Sequence, residues 1–175
     1  IRSCLVGSEM CIRDSTSSDG LYGSRHYAGQ WLTVKERDRP QWGVLLDMVG
    51  DKDLKIRAGV QIPGASLKEL AENKAKTGYV IDIHSVEASL NKMSRQLLSA
   101  AADLSYESEV GISSNYIVDD HVPLNVSAGI PTIDLIDFDY DYWHTPGDTL
   151  DKISAESLEI TGRVTLHYLE KYLLP

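Results

Sequence analysis

From Gly43 to Val49 the chain reads GVLLDMV, a nearly continuous apolar run broken by one acid, Asp47. Such a run predicts a strand buried on both faces, near the centre of a sheet. Leu54 to Ala58 alternates in the manner of a neighbouring strand. From Ser85 onward the period changes, with Val86, Leu90, Met93, Leu97, Ala101 and Leu104 recurring every three or four residues. That spacing predicts one apolar stripe on a helix of about five turns, packed on the sheet. Tyr22 to Trp31 reads as a short helix after a turn at Asp19 and Gly20. Asp120 to Ala128 reads as another, stopped by Gly129 in the left-handed conformation, and Ile130 to Ile136 (IPTIDLI) as the next strand. Ser154 is placed to cap a last amphipathic helix with Leu158, Val164, Leu169 and Leu173 facing inward. Arg57 to Ile83 is the least regular stretch, punctuated by Pro63, Gly64 and Gly78, and reads as an insertion or lid in a single domain. Strand and helix patterns alternating in this way predict an α/β sheet with helices on both faces.

Composition changes the picture mainly at the amino end. Cys4 to Ser15 (CLVGSEMCIRDS) resemble the conceptual translation of a transposon sequencing adapter, whose nucleotides GAGATGTGTATAAGAGACAG encode Glu, Met, Cys, Ile, Arg and Asp. Residues 1–15 are therefore read as non-native and set aside from the fold, leaving 16–175 as the domain. Both cysteines, Cys4 and Cys11, fall in that segment, so disulfide and thiolate–metal readings are removed for the rest. With 42% apolar and 25% charged residues the chain has the balance of a soluble globular domain, and no apolar run is long enough to span a membrane. A formal charge of −9 makes nucleic acid an unsuitable partner, because phosphate binding needs a basic surface.

Candidate chemistry gathers where α/β sheets place it, on loops beyond the carboxyl ends of strands. Asp47 ends the GVLLD run, Asp119, Asp120 and His121 precede a helix, and Trp143, His144 and Thr145 follow the IPTIDLI strand. Carboxylates and imidazoles on such loops are the donors from which zinc sites are made. A lone carboxylate on a buried strand is costly unless it is paired or bound, which singles out Asp47. Each cluster also has a plain alternative. Asp119 and Asp120 could be helix caps, and His144 to Asp148 could be a type II turn around Pro146 and Gly147. The run Asp137, Asp139, Asp141 reads as a solvated loop, since it lacks the glycine and terminal glutamate of a calcium loop. Asn125 to Ser127 fits the short glycosylation pattern, and His26, His84 and His167 read as ordinary surface or core residues.

The words DGLYGSRHYA (Asp19 to Ala28), LLDMVGD (Leu45 to Asp51), DDHVPL (Asp119 to Leu124), AGIPTIDLI (Ala128 to Ile136) and WHTPGDT (Trp143 to Thr149) occur in this order. Together they resemble the carboxyl half of the zinc aminopeptidase and glutaminyl cyclase superfamily, metallopeptidase family twenty-eight. The resemblance implies a three-layer α/β fold of the zinc-exopeptidase kind, with a mostly parallel mixed sheet whose amino-terminal half is missing from this chain. It implies peptide or protein amino termini as substrates and a secreted or periplasmic parent. His144 is implied as a zinc ligand. Asp47 is implied either as a ligand of a second metal, in a two-zinc aminopeptidase, or as a hydrogen-bonding partner of a catalytic glutamate, in a one-zinc cyclase. Asp119, standing where aminopeptidases usually carry serine, is similar to the acid of the cyclase proton network, and Trp143 to an aromatic pocket wall. Asp120 and His121 are implied as supporting residues. The stretch from Arg57 to Ile83 matches neither branch.

In the cyclase chemistry so implied, zinc polarises the γ-carbonyl of an amino-terminal glutamine and ammonia leaves; in the peptidase chemistry, a metal-bound water attacks a peptide carbonyl. The remaining zinc ligands and the catalytic glutamate belong to a segment expected before DGLYGS, where the adapter-like residues stand. The chain alone is thus expected neither to bind zinc tightly nor to catalyse. A non-enzymatic α/β interaction domain with aspartate-rich loops is the remaining alternative.

Overall fold

The computed structural model describes residues 20–62 and 80–174. The elements are α1 (Tyr22–Trp31), β1 (Gly43–Asp47), β2 (Ile56–Gly59), α2 (Ile83–Asp103), β3 (Val110–Ile112), α3 (His121–Pro123), β4 (Thr132–Ile136) and α4 (Ala155–Tyr168). Most of the predicted lid, residues 63–79, and the adapter-like segment lie outside the described residues. The lid's first residues, Arg57 to Gly59, belong instead to β2, and its last, Asp82 and Ile83, begin a helix.

The strands form one sheet in the order β1-β4-β2-β3. β1 pairs parallel with β4, β2 parallel with β3, and β2 antiparallel with β4. One expectation changes here: β2 neighbours β4 and not β1. Among the described residues β1 lies at one side of the sheet, half-buried with Leu46 45% exposed. β3 was not foreseen, because three residues are too few for alternation to show.

Register sorts the side chains onto two faces, since successive residues of a strand point to opposite sides. Ile56 and Ala58 of β2, Val110 of β3, and Ile133 and Leu135 of β4 pack with Met93, Leu97, Ala100 and Ala101 of α2 and with Val164 and Tyr168 of α4. The foreseen stripe on α2 is thereby seated on the sheet, and Asp82 caps the helix by accepting from Ser85 N at 3.3 Å. α4 starts as expected, with Ser154 Oγ accepting from Ser157 N. Its inward line, however, is Ser157, Thr161, Val164 and Tyr168, and Leu158 is 48% exposed. Of the residues expected to face inward, Val164 is fully buried and Leu173 packs against the core, whereas the buried positions near Leu158 are taken by the small polar residues Ser157 and Thr161, whose Oγ1 donates to Val49 O at 3.1 Å.

On the other face stand Asp47 of β1 and Thr132, Asp134 and Ile136 of β4, beneath α1 and α3. α3 is short and runs into a π-type turn, Leu124–Ala128, which Gly129 ends at φ 68° as foreseen. The Asn125 side chain is buried and bridges Thr132, accepting from its N–H at 2.8 Å and donating to its carbonyl at 3.0 Å. It is a structural clamp and not a glycosylation acceptor.

Candidate functional site

The carboxyl ends of β1 and β4 point the same way, so their loops and the segment leading into α3 meet at one end of the sheet. Asp47 is the last residue of β1, and the chain turns sharply after it, with Met48 at φ 51°. Asp119 stands just before α3, and its carboxyl is within hydrogen-bonding reach of Asp47. Neither Asp119 nor Asp120 serves as a helix cap. Asp120 makes no side-chain cap bond, and Asp119 Oδ1 accepts from Asp120 N at 2.6 Å while its carbonyl receives Val122 N.

Two carboxyls sharing a hydrogen bond cannot both be ionised without strong repulsion. Burial, then the Asp47 charge and hydrogen bond, push Asp119 up to about 7, against the opposing bond from Asp120 N–H. Asp119 is therefore an acid that holds and releases a proton near neutrality.

A further acid was not singled out from the sequence. Asp134, in the middle of β4, has no exposed surface. It faces the same side as Asp47, being paired with Leu45 two residues earlier in β1. Burial, with the charges of Asp119, Asp47 and Asp120, pushes it up to about 8. The signal is in the sequence: TIDLI carries a lone carboxylate in a buried strand, as GVLLD does, and the cost of leaving it unpaired is greater at Asp134, which is fully buried. His121, which enters as a supporting residue, is itself 1% exposed, with Nδ1 3.4 Å from Asp134 Oδ2. Burial lowers it to about 4.

The loop after β4 carries the aromatic residues. Asp137 is not solvated but fully buried, its Oδ2 accepting from Lys55 N at 2.8 Å and its Oδ1 from Asp139 N, which ties the loop to the start of β2. Trp143 is 45% exposed and stacks on the His144 ring, centroids 4.1 Å apart and planes 23° from parallel. Phe138 adds its ring to Trp143 at 5.5 Å. His144 is exposed and has φ 57°, the left-handed region. The following turn is closed by Asp148 N donating to Thr145 O, and it is not type II, because Gly147 lacks the positive φ that type requires at its third position.

Residues 14–169 match Peptidase family M28. The chain belongs to this family. It is 28% identical over 165 residues to the glutaminyl-peptide cyclotransferase of Drosophila melanogaster, the match covering 89% of this chain and 42% of that protein. An Acidobacteriales bacterium glutaminyl cyclase superposes with a TM-score of 0.65 at 31% identity, covering 91% of this chain and 48% of that one. A leucine aminopeptidase precursor from Bacteroides thetaiotaomicron shares the fold, with a TM-score of 0.62 at 23% identity over 87% of this chain and 44% of that one. The chain spans less than half the length of these relatives. The zinc-exopeptidase-like α/β fold is thereby established.

The expected zinc site is another matter. Among the described residues no three or more His, Cys, Asp or Glu side chains are gathered to hold a metal ion. His144 with its exposed imidazole, and Asp47 with Asp119, do not make a complete donor set by themselves, since zinc takes at least three protein ligands. Nor is any described helix long and apolar enough to cross a membrane. His26, His84 and His167 are ordinary, bonded to Gln30, Glu87 and Asp103 respectively.

Proposed function

We propose that this chain is the carboxyl part of a glutaminyl-peptide cyclotransferase, which closes an amino-terminal glutamine to pyroglutamate with release of ammonia. The observation that carries the reading is the Asp47–Asp119 pair. An acid held near neutrality by burial and by a second carboxyl suits a reaction that moves a proton from an amine to a leaving group. The acid standing before Asp120 and His121 and the similarity to two cyclases support the same choice.

In this reading the α-amine attacks the γ-carbonyl carbon, the new C–N bond closes a five-membered lactam, and the amide nitrogen leaves as ammonia. The amine gives up one proton and the leaving nitrogen takes one, so no net proton is consumed. Asp119 holds the proton beside Asp47 and relays it through the shared network. Trp143, exposed beside His144, offers a flat wall for the small side chain. Zinc, one ion in this reading and two in a peptidase, would polarise the carbonyl. His144 would be one of its ligands, with further donors from outside the described residues.

The experiment is product analysis with a full-length protein that contains this chain. Incubated with a glutaminyl peptide, it is expected to release ammonia and leave a peptide with a blocked amino terminus. Release of a free amino acid would reject the reading in favour of an aminopeptidase, with Asp47 a second-metal ligand. Release of neither, with metal bound, would favour an interaction domain.

A further inference from the structure

His121 and Asp134 are both buried, at 1% and 0% side-chain exposure, and face each other at 3.4 Å. Neither imidazole nitrogen and neither carboxylate oxygen has a hydrogen-bond partner among the described residues. Four such atoms left unpaired in one place would each carry a desolvation penalty, so their mutual approach calls for an account. His121 sits on α3 and Asp134 on β4, so the contact joins the helix that follows Asp119 to the strand beside Asp47.

We propose that His121 and Asp134 hold a single proton between them at neutral pH, which makes His121 a positioning residue for the acid cluster. The donor inventory leaves one economical arrangement. A neutral carboxylic acid donates to Nδ1 of a neutral imidazole, which carries its own hydrogen on Nε2; neither group is then a buried charge. The directions of both pKa displacements, Asp134 upward and His121 downward, agree with this arrangement. An ionised Asp134 would add a further negative charge to the side of the sheet that already carries Asp47 and Asp119. His121 suppresses that charge through the shared proton and fixes the direction of the Asp134 carboxyl. It touches no substrate in this scheme and acts through Asp134.

The pairing stands on the structure alone, and only its consequence for turnover rests on the cyclase reading. It is tested on the chain as it is, without activity, by NMR at pH 7 with 13Cγ-labelled aspartate and 15N-labelled histidine. The expected result is one proton in the pair, with the Asp134 carbon in the protonated range and Nδ1 of His121 displaced from the position of a free lone pair. That displacement is expected to vanish in Asp134→Leu, which keeps the branch at Cγ and removes the partner. An ionised Asp134 beside a neutral His121, or a His121 spectrum unchanged by Asp134→Leu, would overturn the proposal. Should Asp134→Leu fail to fold, the proton count read from the two wild-type nuclei decides by itself. Ammonia release tests the cyclase reading separately, so the two can fail independently.

Discussion

Gly59 on β2 stands opposite Asp134 on β4, and the Asp134 side chain lies where a side chain at Gly59 would press. A Cβ there would come within 3.3 Å of Asp134 Cβ and 3.4 Å of Ile117 Cδ1. Both neighbours are buried, so neither can swing into solvent. Gly59→Ala is expected to lower stability by about 1–3 kcal/mol, measured as a fall in the urea midpoint at constant m. A stability equal to or above wild type would mean that the Asp134 pocket has room to spare.

Burial of Asp134 also sets a pH dependence. Its folded pKa, about 8, lies above the ordinary value of 3.8, so the folded chain keeps a proton that the unfolded chain loses. This group's contribution to stability is complete below about pH 4 and is lost as pH rises through about 8. His121 works from the other side: lowered from 6.5 to about 4, it contributes fully above pH 6.5 and loses that contribution as pH falls through about 4. Asp119, raised to about 7, adds a decline that ends earlier. Between pH 7 and 8, then, Asp134 dominates. Thermal melts are expected to show Tm falling over that interval and levelling above it, and Asp134→Asn is expected to flatten the fall. Equal slopes in both proteins would rule out Asp134 as the source.

The same residues show what could be read in advance and what could not. α1 matches its predicted bounds, the α2 stripe is buried from Val86 to Ala101, and Gly129 and Ser154 end and start their helices where their side-chain chemistry requires. Those features are local, fixed by period and by cap. Strand order is not local: nothing within GVLLD or TIDLI states that β4 lies between β1 and β2, and so Asp134 could not be placed beside Asp47 without the register. A lone carboxylate in a buried apolar strand marks Asp134 as much as Asp47, and Asp134 is the more deeply buried. Asp137 differs from its expected solvated state for a related reason, since its partner, the Lys55 amide, is 82 residues away in sequence.

If Asp119 relays a proton, removing its ability to titrate must matter more than removing its shape. In a full-length protein containing this chain, Asp119→Asn is expected to lower kcat by on the order of 100-fold, with little change in KM, and to abolish a pH–rate limb near 7. Stability should not fall with it, because the substitution relieves the contact between two carboxyls. A pH profile that keeps this limb in Asp119→Asn would assign it to another group.

His144 separates a metal ligand from a turn residue, because the two roles respond oppositely to the same change. Its side chain is exposed and stacks on the Trp143 ring within the loop, and its φ of 57° is strained for any residue with a Cβ. A turn has no need of an imidazole there and would favour glycine. His144→Gly is therefore expected to leave the fold intact and to stabilise it by about 1 kcal/mol. If the strain is kept for the sake of the ring, the same substitution in the full-length protein removes a zinc donor. Zinc content, read by atomic absorption after dialysis, is then expected to drop, with His144→Ala behaving alike in zinc content while lacking the gain in Tm. A His144→Gly protein that melts higher and retains its zinc would leave the turn as the whole explanation of this residue.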